Sequence, residues 1–244
     1  MVGLRDGRGL QRRSGNAVYL REQLLLLKVR ARDVDGREVR VLYLDALLHS
    51  YVDVDDPYYL RCSCKKVFAD LATYLGQTDP AMCVQFIGGG GYTMPRFLEV
   101  MFPRSNLEIK QIDPAVTKIA TDYLGLGART QIVTYNEDAR TKLQQLDEGK
   151  YEMVMGDAFN DVSVPYHLTT REFNEHVRDR LSDSGVHAVN IARRTRAVPS
   201  LLRRYYAVDI RLRLRFVGRY AMDLGRPLHF CGRCFGSANI VSQD

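Results

Sequence analysis

The chain has 244 residues, of which 45% are hydrophobic and 26% charged, and its formal net charge is +6. This length allows one large domain, or one domain with an appendage, around a substantial core. No run approaches the ~18 apolar residues that a membrane-spanning helix needs, and the amino terminus lacks a signal-peptide pattern, so a cytoplasmic protein is expected. Five cysteines, an odd number, do not indicate a disulfide framework.

The first quarter of the chain is predicted to form a small antiparallel subdomain. Residues 1–16 are rich in Gly and Arg without clear periodicity, and we expect them to be disordered. Residues 17–60 are predicted to be a β-hairpin subdomain, because apolar runs flank an Asp-Gly dipeptide within a turn at 33–36. Apolar side chains at helical spacing then predict a helix over 65–74.

Strands and helices alternate from about residue 82 to about 191, which predicts a mainly parallel sheet with helices on both faces. The five predicted strands lie in VQFI, LEIKQIDP, TQIVT, YEMVMGDAFND and GVHAVNI. A helix with a threonine N-cap is predicted from TTREF. Residues 61–244 are therefore predicted to be a nucleoside-binding α/β domain, with 192–244 as a basic, weakly patterned tail.

The most informative stretch is 84–96, VQFIGGGGYTMPR, in which a strand ends in four glycines ahead of a helix. Glycine accepts positive φ and lacks a Cβ, so a ligand can approach this backbone closely, and the helix N–H groups favour its electron-rich atoms. Gln111 ends the next strand at the spacing where βαβ folds hold ribose hydroxyls. Ligands of open α/β sheets bind at the carboxyl ends of the strands, where three acidic residues also lie: Asp138, Asp157 and Asp161.

Two other patterns point to different ligands. Cys62 and Cys64 form a CxC pair and Cys231 and Cys234 a CxxC pair, which together could bind zinc if the fold joined them. The pairs are far apart and no histidine accompanies them, so no metal is predicted. Nine arginines and one acidic residue lie within 193–219, a patch that could attract nucleic acid. Because regular aromatic interleaving is missing, we expect a solvated surface there instead.

The chain resembles the polyamine aminopropyltransferase (spermidine synthase) family, most of all the branch often fused to membrane segments. The resemblance covers roughly residues 38–191, in LYLDALLHSYVDVDDPYYL, FIGGGGYTMPR, IDPAVTKIA, the DAR at 138–140 and GDAFNDVSVPYHLTTREF. It implies a Rossmann-like domain of the class I methyltransferase type with a small antiparallel β subdomain at its amino end, and a homodimer. It also implies aminopropyl transfer from decarboxylated S-adenosylmethionine to putrescine or a related amine, without a metal.

The resemblance further implies roles for the residues at the strand ends. Asp157 matches the general base that takes the proton of the incoming amine. Asp161 lies where the family binds the diamine, and His49 and Tyr166 are further candidates for substrate contact. The nucleoside co-substrate is expected to contact six residues: Gly88, Gly89, Gly90, Gln111, Asp138 and Ala139. Each of the aspartates is also a common helix cap or turn residue, which is the structural alternative.

Four positions depart from the family's pattern. Gln111 stands where glutamate is usual, Gly91 where an aspartate is common, Cys64 where a tyrosine lines the site, and Lys65 where glutamine or glutamate occurs. A cation at position 65 would disfavour a cationic diamine.

Two alternatives therefore stay open: an S-adenosylmethionine-dependent methyltransferase of the same fold, or a non-catalytic nucleoside- or RNA-binding homologue. A cation near the sulfonium would favour the methyltransferase, because the intact cofactor carries a carboxylate.

Overall fold

The computed structural model describes residues 12–14, 17–21, 26–45, 47–159 and 164–190, with side chains from residue 26 onward. These ranges form two five-stranded sheets and five α-helices. None of the helices described is both long and apolar enough to cross a membrane. Several sequence predictions lie outside the described residues, namely those for Asp161, Cys231, Cys234, the arginines of 193–219 and the tail at 192–244.

The first sheet is antiparallel, and its strands follow one another in chain order. They are β1 Arg12–Ser14, β2 Ala17–Arg21, β3 Leu26–Val34, β4 Arg37–Leu44 and β5 Leu47–Val52. The predicted hairpin is β3–β4, and its turn has Asp35 at φ 58° and Gly36 at φ 78°. Positive φ at both turn residues is what an Asp-Gly hairpin favours. The sheet has more strands than predicted, because β1 lies within residues 1–16, which were predicted to be disordered.

Helix α1, Ser63–Gly76, follows the antiparallel sheet and is longer than the predicted 65–74. It buries Phe68, Ala69 and Ala72 in the core that the two sheets share. Cys62 is its N-cap residue, so both cysteines of the CxC pair lie in or beside its first turn. The first turn of the helix thereby places Cys64 and Lys65 near the carboxyl ends of strands of the second sheet.

The second sheet is parallel throughout. Its strands are β6 Cys83–Ile87, β7 Asn106–Lys110, β8 Val133–Tyr135, β9 Tyr151–Gly156 and β10 Leu181–Val189. The order is β10-β9-β6-β7-β8, so β6 lies in the centre with β7 on one side and β9 on the other. The chain changes direction across the sheet at β6, and such a switch point is where open α/β sheets bind ligands.

Four helices connect or follow these strands: α2 Thr93–Met101, α3 Pro114–Tyr123, α4 Ala139–Leu143 and α5 Arg171–Arg180. Three of them begin with a side chain that accepts a backbone hydrogen bond, as N-caps do. Asp113 accepts from Ala115 at 2.9 Å, and Asp138 accepts from Thr141 at 3.1 Å. The predicted threonine cap of α5 is Thr170. These caps fix where each of the three helices begins.

Candidate active site

The four glycines form the turn between β6 and α2, at the centre of the parallel sheet. Gly88 has φ 92°, and a Cβ there would lie 2.8 Å from the backbone oxygen of Asp157. Only glycine fits such a position without strain and collision. Gly90 has φ 50° and borders a cavity. The turn and the end of β9 therefore pack backbone to backbone.

The antiparallel sheet touches the same turn through β5. The Gly91 N–H donates to Ser50 Oγ at 3.0 Å, and a Cβ at Gly91 would lie 2.6 Å from the Ser50 Cβ. This close contact gives a physical reason for the departure at position 91. An aspartate there would collide with Ser50 unless β5 moved.

Tyr92 anchors the start of α2, a feature that sequence reasoning missed. It has φ 56° and is completely buried. Its hydroxyl is hydrogen bonded to Thr117 Oγ1 at 3.0 Å and to Thr134 Oγ1 at 3.2 Å. The ring therefore ties the glycine turn to α3 and β8. A buried tyrosine in the left-handed region has no reliable sequence signal, because positive φ is rare for bulky residues.

Asp157 directly follows β9, and its N–H donates to the Ile87 carbonyl at 2.9 Å. Its carboxylate has two side-chain partners from distant parts of the chain. Asn190 Nδ2 donates to Oδ1 at 2.9 Å, and the Lys65 ammonium donates to Oδ2. The Asp157 side chain is 20% exposed and that of Lys65 15%.

The Lys65 ammonium stays protonated in this pair. Burial acts to lower the pKa of Lys65, but attraction to the Asp157 carboxylate and the hydrogen bond between them raise it overall. The carboxylate of the predicted base is therefore paired with a cation of the same chain.

A cavity of about 520 Å³ lies beside this pair. It is bordered by β5, the first turn of α1, the glycine turn and the ends of β9 and β10, through His49, Ser50, Cys64, Lys65, Gly90, Asp157 and Asn190 among others. Arg61 also lines it, while its guanidinium pairs with Asp35 at 2.6 Å and stacks 5.1 Å from the centre of the Tyr51 ring. Two cations and one carboxylate therefore face the same space.

Apart from Gly90, the residues predicted to bind the nucleoside lie at neighbouring strand ends rather than in the wall of that cavity. Gln111 follows β7 and is 7% exposed. Its Oε1 accepts from the Asp113 N–H at 3.2 Å, and its own N–H donates to the Tyr135 carbonyl at 3.0 Å. The side chain thus has a local backbone partner in this structure.

Asp138 caps α4 and also pairs with His167 Nε2 at 2.9 Å. Burial acts to raise the pKa of Asp138, but the Thr141 N–H and the His167 ring lower it overall. Ala139 is buried at the first position of α4. Both residues lie beyond β8, on the same edge of the sheet as the glycine turn.

The predicted substrate residues divide into three groups. His49 lies in the cavity wall. Tyr166, in the short 3₁₀-helix Tyr166–Leu168, is 70% exposed and is not among the residues that line the cavity. Asp161 is outside the described residues. In the part of the chain that the structure describes, no three His, Cys, Asp or Glu side chains gather as metal ligands would.

Asn190 is a site residue that sequence reasoning missed although a signal was present. It follows β10 directly, and polar residues at that edge of a parallel sheet are candidates by the rule that singled out Asp157. The Lys65–Asp157 contact had no comparable signal, because the two residues lie 92 positions apart.

Sequence comparison gives partial matches to known proteins. No family model matches the chain. It is 34% identical over 140 residues to a polyamine aminopropyltransferase of Vibrio vulnificus, a match that covers 57% of the chain and 46% of that protein. It is 32% identical over 113 residues to a probable polyamine aminopropyl transferase of Bifidobacterium longum, covering 46% of the chain and 25% of the relative. The chain therefore spans half or less of the length of these relatives.

Structural comparison confirms the predicted fold class. A probable spermidine synthase from Corynebacterium glutamicum superposes with a TM-score of 0.70 at 17% identity, over 78% of the chain and 70% of that protein. Human methyltransferase-like protein 13, in a complex with SAH, superposes with a TM-score of 0.52 at 22% identity, over 60% of the chain and 72% of that protein. At such identities the superpositions establish the architecture alone.

Proposed function

We propose that this chain, which is similar to polyamine aminopropyltransferases over part of its length, transfers an aminopropyl group to an amine. The donor in this proposal is decarboxylated S-adenosylmethionine, and the acceptor is putrescine or a related amine. The observation that carries the proposal is the position of Asp157. Its carboxylate faces a cavity of about 520 Å³ beside the glycine turn, at the switch point of the sheet.

The chemistry requires a carboxylate at such a place. An alkylamine is almost wholly protonated at neutral pH, since its pKa is about 10, and the ammonium has no lone pair for attack. In the proposed step the amine nitrogen attacks the carbon next to the sulfonium sulfur, the C–S bond breaks and the thioether leaves. The proton of the amine passes to Asp157, while the Asn190 amide holds the other carboxylate oxygen in place. Alignment of the two reactants supplies about 7 kcal/mol or more of the barrier.

The nucleoside in this proposal lies along the ends of three adjacent strands. Gly88, Gly89 and Gly90 border its sulfonium end, Gln111 meets the ribose, and Asp138 with Ala139 meets the adenine. Support comes from the order of the sheet, because β6, β7 and β8 are neighbours and end at one edge. Gln111 Oε1 already accepts from the Asp113 N–H, so ribose binding would require Gln111 to exchange or share this hydrogen bond. The Asp138 carboxylate already pairs with His167. His49, Tyr166 and Asp161 remain proposed contacts of the amine.

Lys65 is the main obstacle to a cationic acceptor. Its ammonium occupies the Asp157 oxygen that an incoming amine would use. A diamine therefore has to displace Lys65, or the acceptor has to reach the carboxylate from the Asn190 side.

This same feature favours a second candidate function, an S-adenosylmethionine-dependent methyltransferase. Lys65 and Arg61 both line the cavity, and either cation could pair with the carboxylate that the intact cofactor retains.

One experiment separates the two functions. The full chain is incubated with decarboxylated S-adenosylmethionine and putrescine, cadaverine or spermidine, and separately with S-adenosylmethionine and the same amines. Methylthioadenosine and the aminopropylated amine are measured by mass spectrometry. The proposal predicts both products in equal amounts from the decarboxylated donor, and their loss in Asp157→Asn.

The matched control is Asp113→Asn, which changes an aspartate at the same edge of the sheet that caps α3 and does not line the cavity. It should keep its activity, since asparagine also caps helices. S-adenosylhomocysteine with a methylated amine would instead establish the methyltransferase. Absence of both reactions with folded protein would contradict an enzymatic role with these amines.

A further inference from the structure

Two cysteines line the cavity wall, and the proposed reaction uses neither of them. Cys62 is exposed and Cys64 half-buried, and both are free thiols. They are separated by one residue at the start of α1, where Cys62 is the N-cap residue and Cys64 lies in the first turn. Both side chains line the same wall of the cavity. Two free thiols one residue apart on one wall are candidates for conversion into a disulfide.

The surroundings favour the thiolate form at Cys62. The neighbouring Cys64 thiol lowers the pKa of Cys62 to about 6, and the positive charge of Lys65 acts in the same direction. Cys62 in turn raises the pKa of Cys64, which therefore keeps its proton. The other titratable side chains that face this cavity are His49, Tyr51, Arg61 and Asp157. Cys62 is also the exposed thiol and the N-cap residue of α1, so it is the attacking thiol of the pair and Cys64 the resolving one.

We propose that Cys62 and Cys64 form a reversible thiol–disulfide site in the cavity wall, with a low-molecular-weight disulfide as the oxidant. The Cys62 thiolate attacks one sulfur of that disulfide, whose S–S bond breaks, and one thiolate leaves. The Cys64 thiol then loses its proton and attacks the Cys62 sulfur, so that the mixed disulfide breaks and the second thiolate leaves. One external disulfide is reduced to two thiols, and one Cys62–Cys64 bridge forms.

The disulfide would lie next to Lys65, whose ammonium pairs with the Asp157 carboxylate. Exchange at Cys62 removes the thiolate charge next to the ammonium, and a group attached to Cys62 would border the cavity. The proposal does not depend on which reaction the site performs, because it concerns only the thiols.

Trypsin makes the site directly measurable, since it cuts after Arg61 and after Lys65 and releases Cys62–Lys65 as one peptide. The full chain is equilibrated with reduced and oxidised glutathione at several ratios, quenched with acid, alkylated and digested. We expect this peptide to lose its two thiol hydrogens as the oxidised fraction rises, and to regain them after reduction. A persistent glutathione adduct on the wild-type peptide, or a bridge from Cys62 to another cysteine, would overturn the proposal.

Two matched variants separate the roles of the thiols. In Cys64→Ser the mixed disulfide at Cys62 should accumulate, because the resolving thiol is absent. In Cys62→Ser the remaining Cys64 should form a glutathione adduct at least about tenfold more slowly than Cys62 does in Cys64→Ser. Serine is a favourable N-cap residue, so Cys62→Ser should fold normally. Equal adduct formation in the two variants would contradict the assignment of attacking and resolving thiols.

A rate measurement tests the reactivity of Cys62 without any variant. At pH 6, iodoacetamide should label Cys62 about tenfold faster in the native chain than in the chain denatured with guanidinium. The larger thiolate fraction outweighs the weaker nucleophilicity that accompanies a lowered pKa. Equal or slower labelling of the native thiol would contradict the proposed activation.

Discussion

The glycine turn and the Asp157 carboxylate lie at the ends of adjacent strands, but different interactions hold them in place. On the turn side, comprising Gly88–Gly91, Gln111 and Asp138, several key contacts are local. Gln111 bonds a backbone group two residues away, and Asp138 caps a group three residues away. On the carboxylate side, comprising Asp157, Lys65 and Asn190, the partners of the carboxylate lie 92 and 33 positions from it.

This difference separates what short motifs specify from what only the complete fold creates. A strand followed by glycines and a cap can be recognised in a single sequence, because steric rules fix the backbone. An ion pair between the start of α1 and the end of β9 exists only after both sheets have assembled. Variants on the two sides should therefore fail in different ways.

The largest effect is expected for Asp157→Asn in the proposed transferase. Its kcat/KM should fall by about 10²–10⁴-fold, because an amide cannot take up the proton of the amine. The affinity for methylthioadenosine should change by less than about threefold, since the glycine turn is untouched. Steady-state kinetics and isothermal titration calorimetry measure the two quantities. If nucleoside affinity fell together with the rate, the separation of the two sides would be wrong.

Gly88→Ala tests the contact that joins the two sides. It should lower the free energy of unfolding by about 2–4 kcal/mol, because it combines positive φ with a Cβ 2.8 Å from the Asp157 backbone oxygen. Gly149→Ala is the control, with φ 66° but no atom within 4 Å of the added Cβ, and should cost about 1 kcal/mol. Urea unfolding measures both losses, and equal values would show that the collision with β9 contributes nothing.

The Lys65–Asp157 pair should show measurable coupling in a double-mutant cycle. Combining Lys65→Met with Asp157→Asn should give an interaction energy of about 1–3 kcal/mol, since both side chains are largely buried. The exposed pair Lys118–Asp122, one helical turn apart at 2.7 Å, is the control and should give about 0.3–0.5 kcal/mol. Four urea unfolding curves per pair supply the energies. Coupling at the exposed-pair value would mean that Lys65 does not hold Asp157.

The smallest effect is expected for Asp138→Asn on the turn side. Asparagine keeps the cap, so the loss is that of the carboxylate charge and of its pairing with His167, and the free energy of unfolding at pH 7 should fall by about 0.5–1 kcal/mol. The pKa of Asp138 is lowered in the folded chain, so its stabilising contribution is complete above the ordinary value of 3.8 and is lost as the pH falls below it.

Urea unfolding at pH 7 and at pH 3 checks this dependence. The difference between Asp138→Asn and the unmodified chain should shrink at the lower pH. A difference that stays constant would exclude the charge as its origin.

The fold followed from the sequence wherever one local rule decided the backbone. The Asp-Gly turn of β3–β4, the five parallel strands and the helix after the glycines are examples. Strand β1 was not predicted, because a short arginine-rich segment becomes a strand through pairing with β2 rather than through an apolar pattern of its own.

The candidate site was predictable in its acidic and glycine residues but not in its charge balance. Asp157 and the glycines are marked by their position after strands. Lys65 stood out only as a departure from a family pattern, and its contact with Asp157 depends on how α1 packs. Tyr166 rested on a motif alone, and its 70% exposure leaves its proposed contact with substrate to experiment.

The hydrogen bond from Gly91 to Ser50 makes the antiparallel sheet a structural part of the ligand turn. Gly91 has no room for a side chain against Ser50 and Val52, so the backbone of the turn packs directly on β5. A fragment that begins after β5 would lose this support as well as the His49 wall of the cavity. If the parallel-sheet domain is expressed without the antiparallel sheet, its strands should therefore form, but the Gly88–Gly91 turn should lose its conformation.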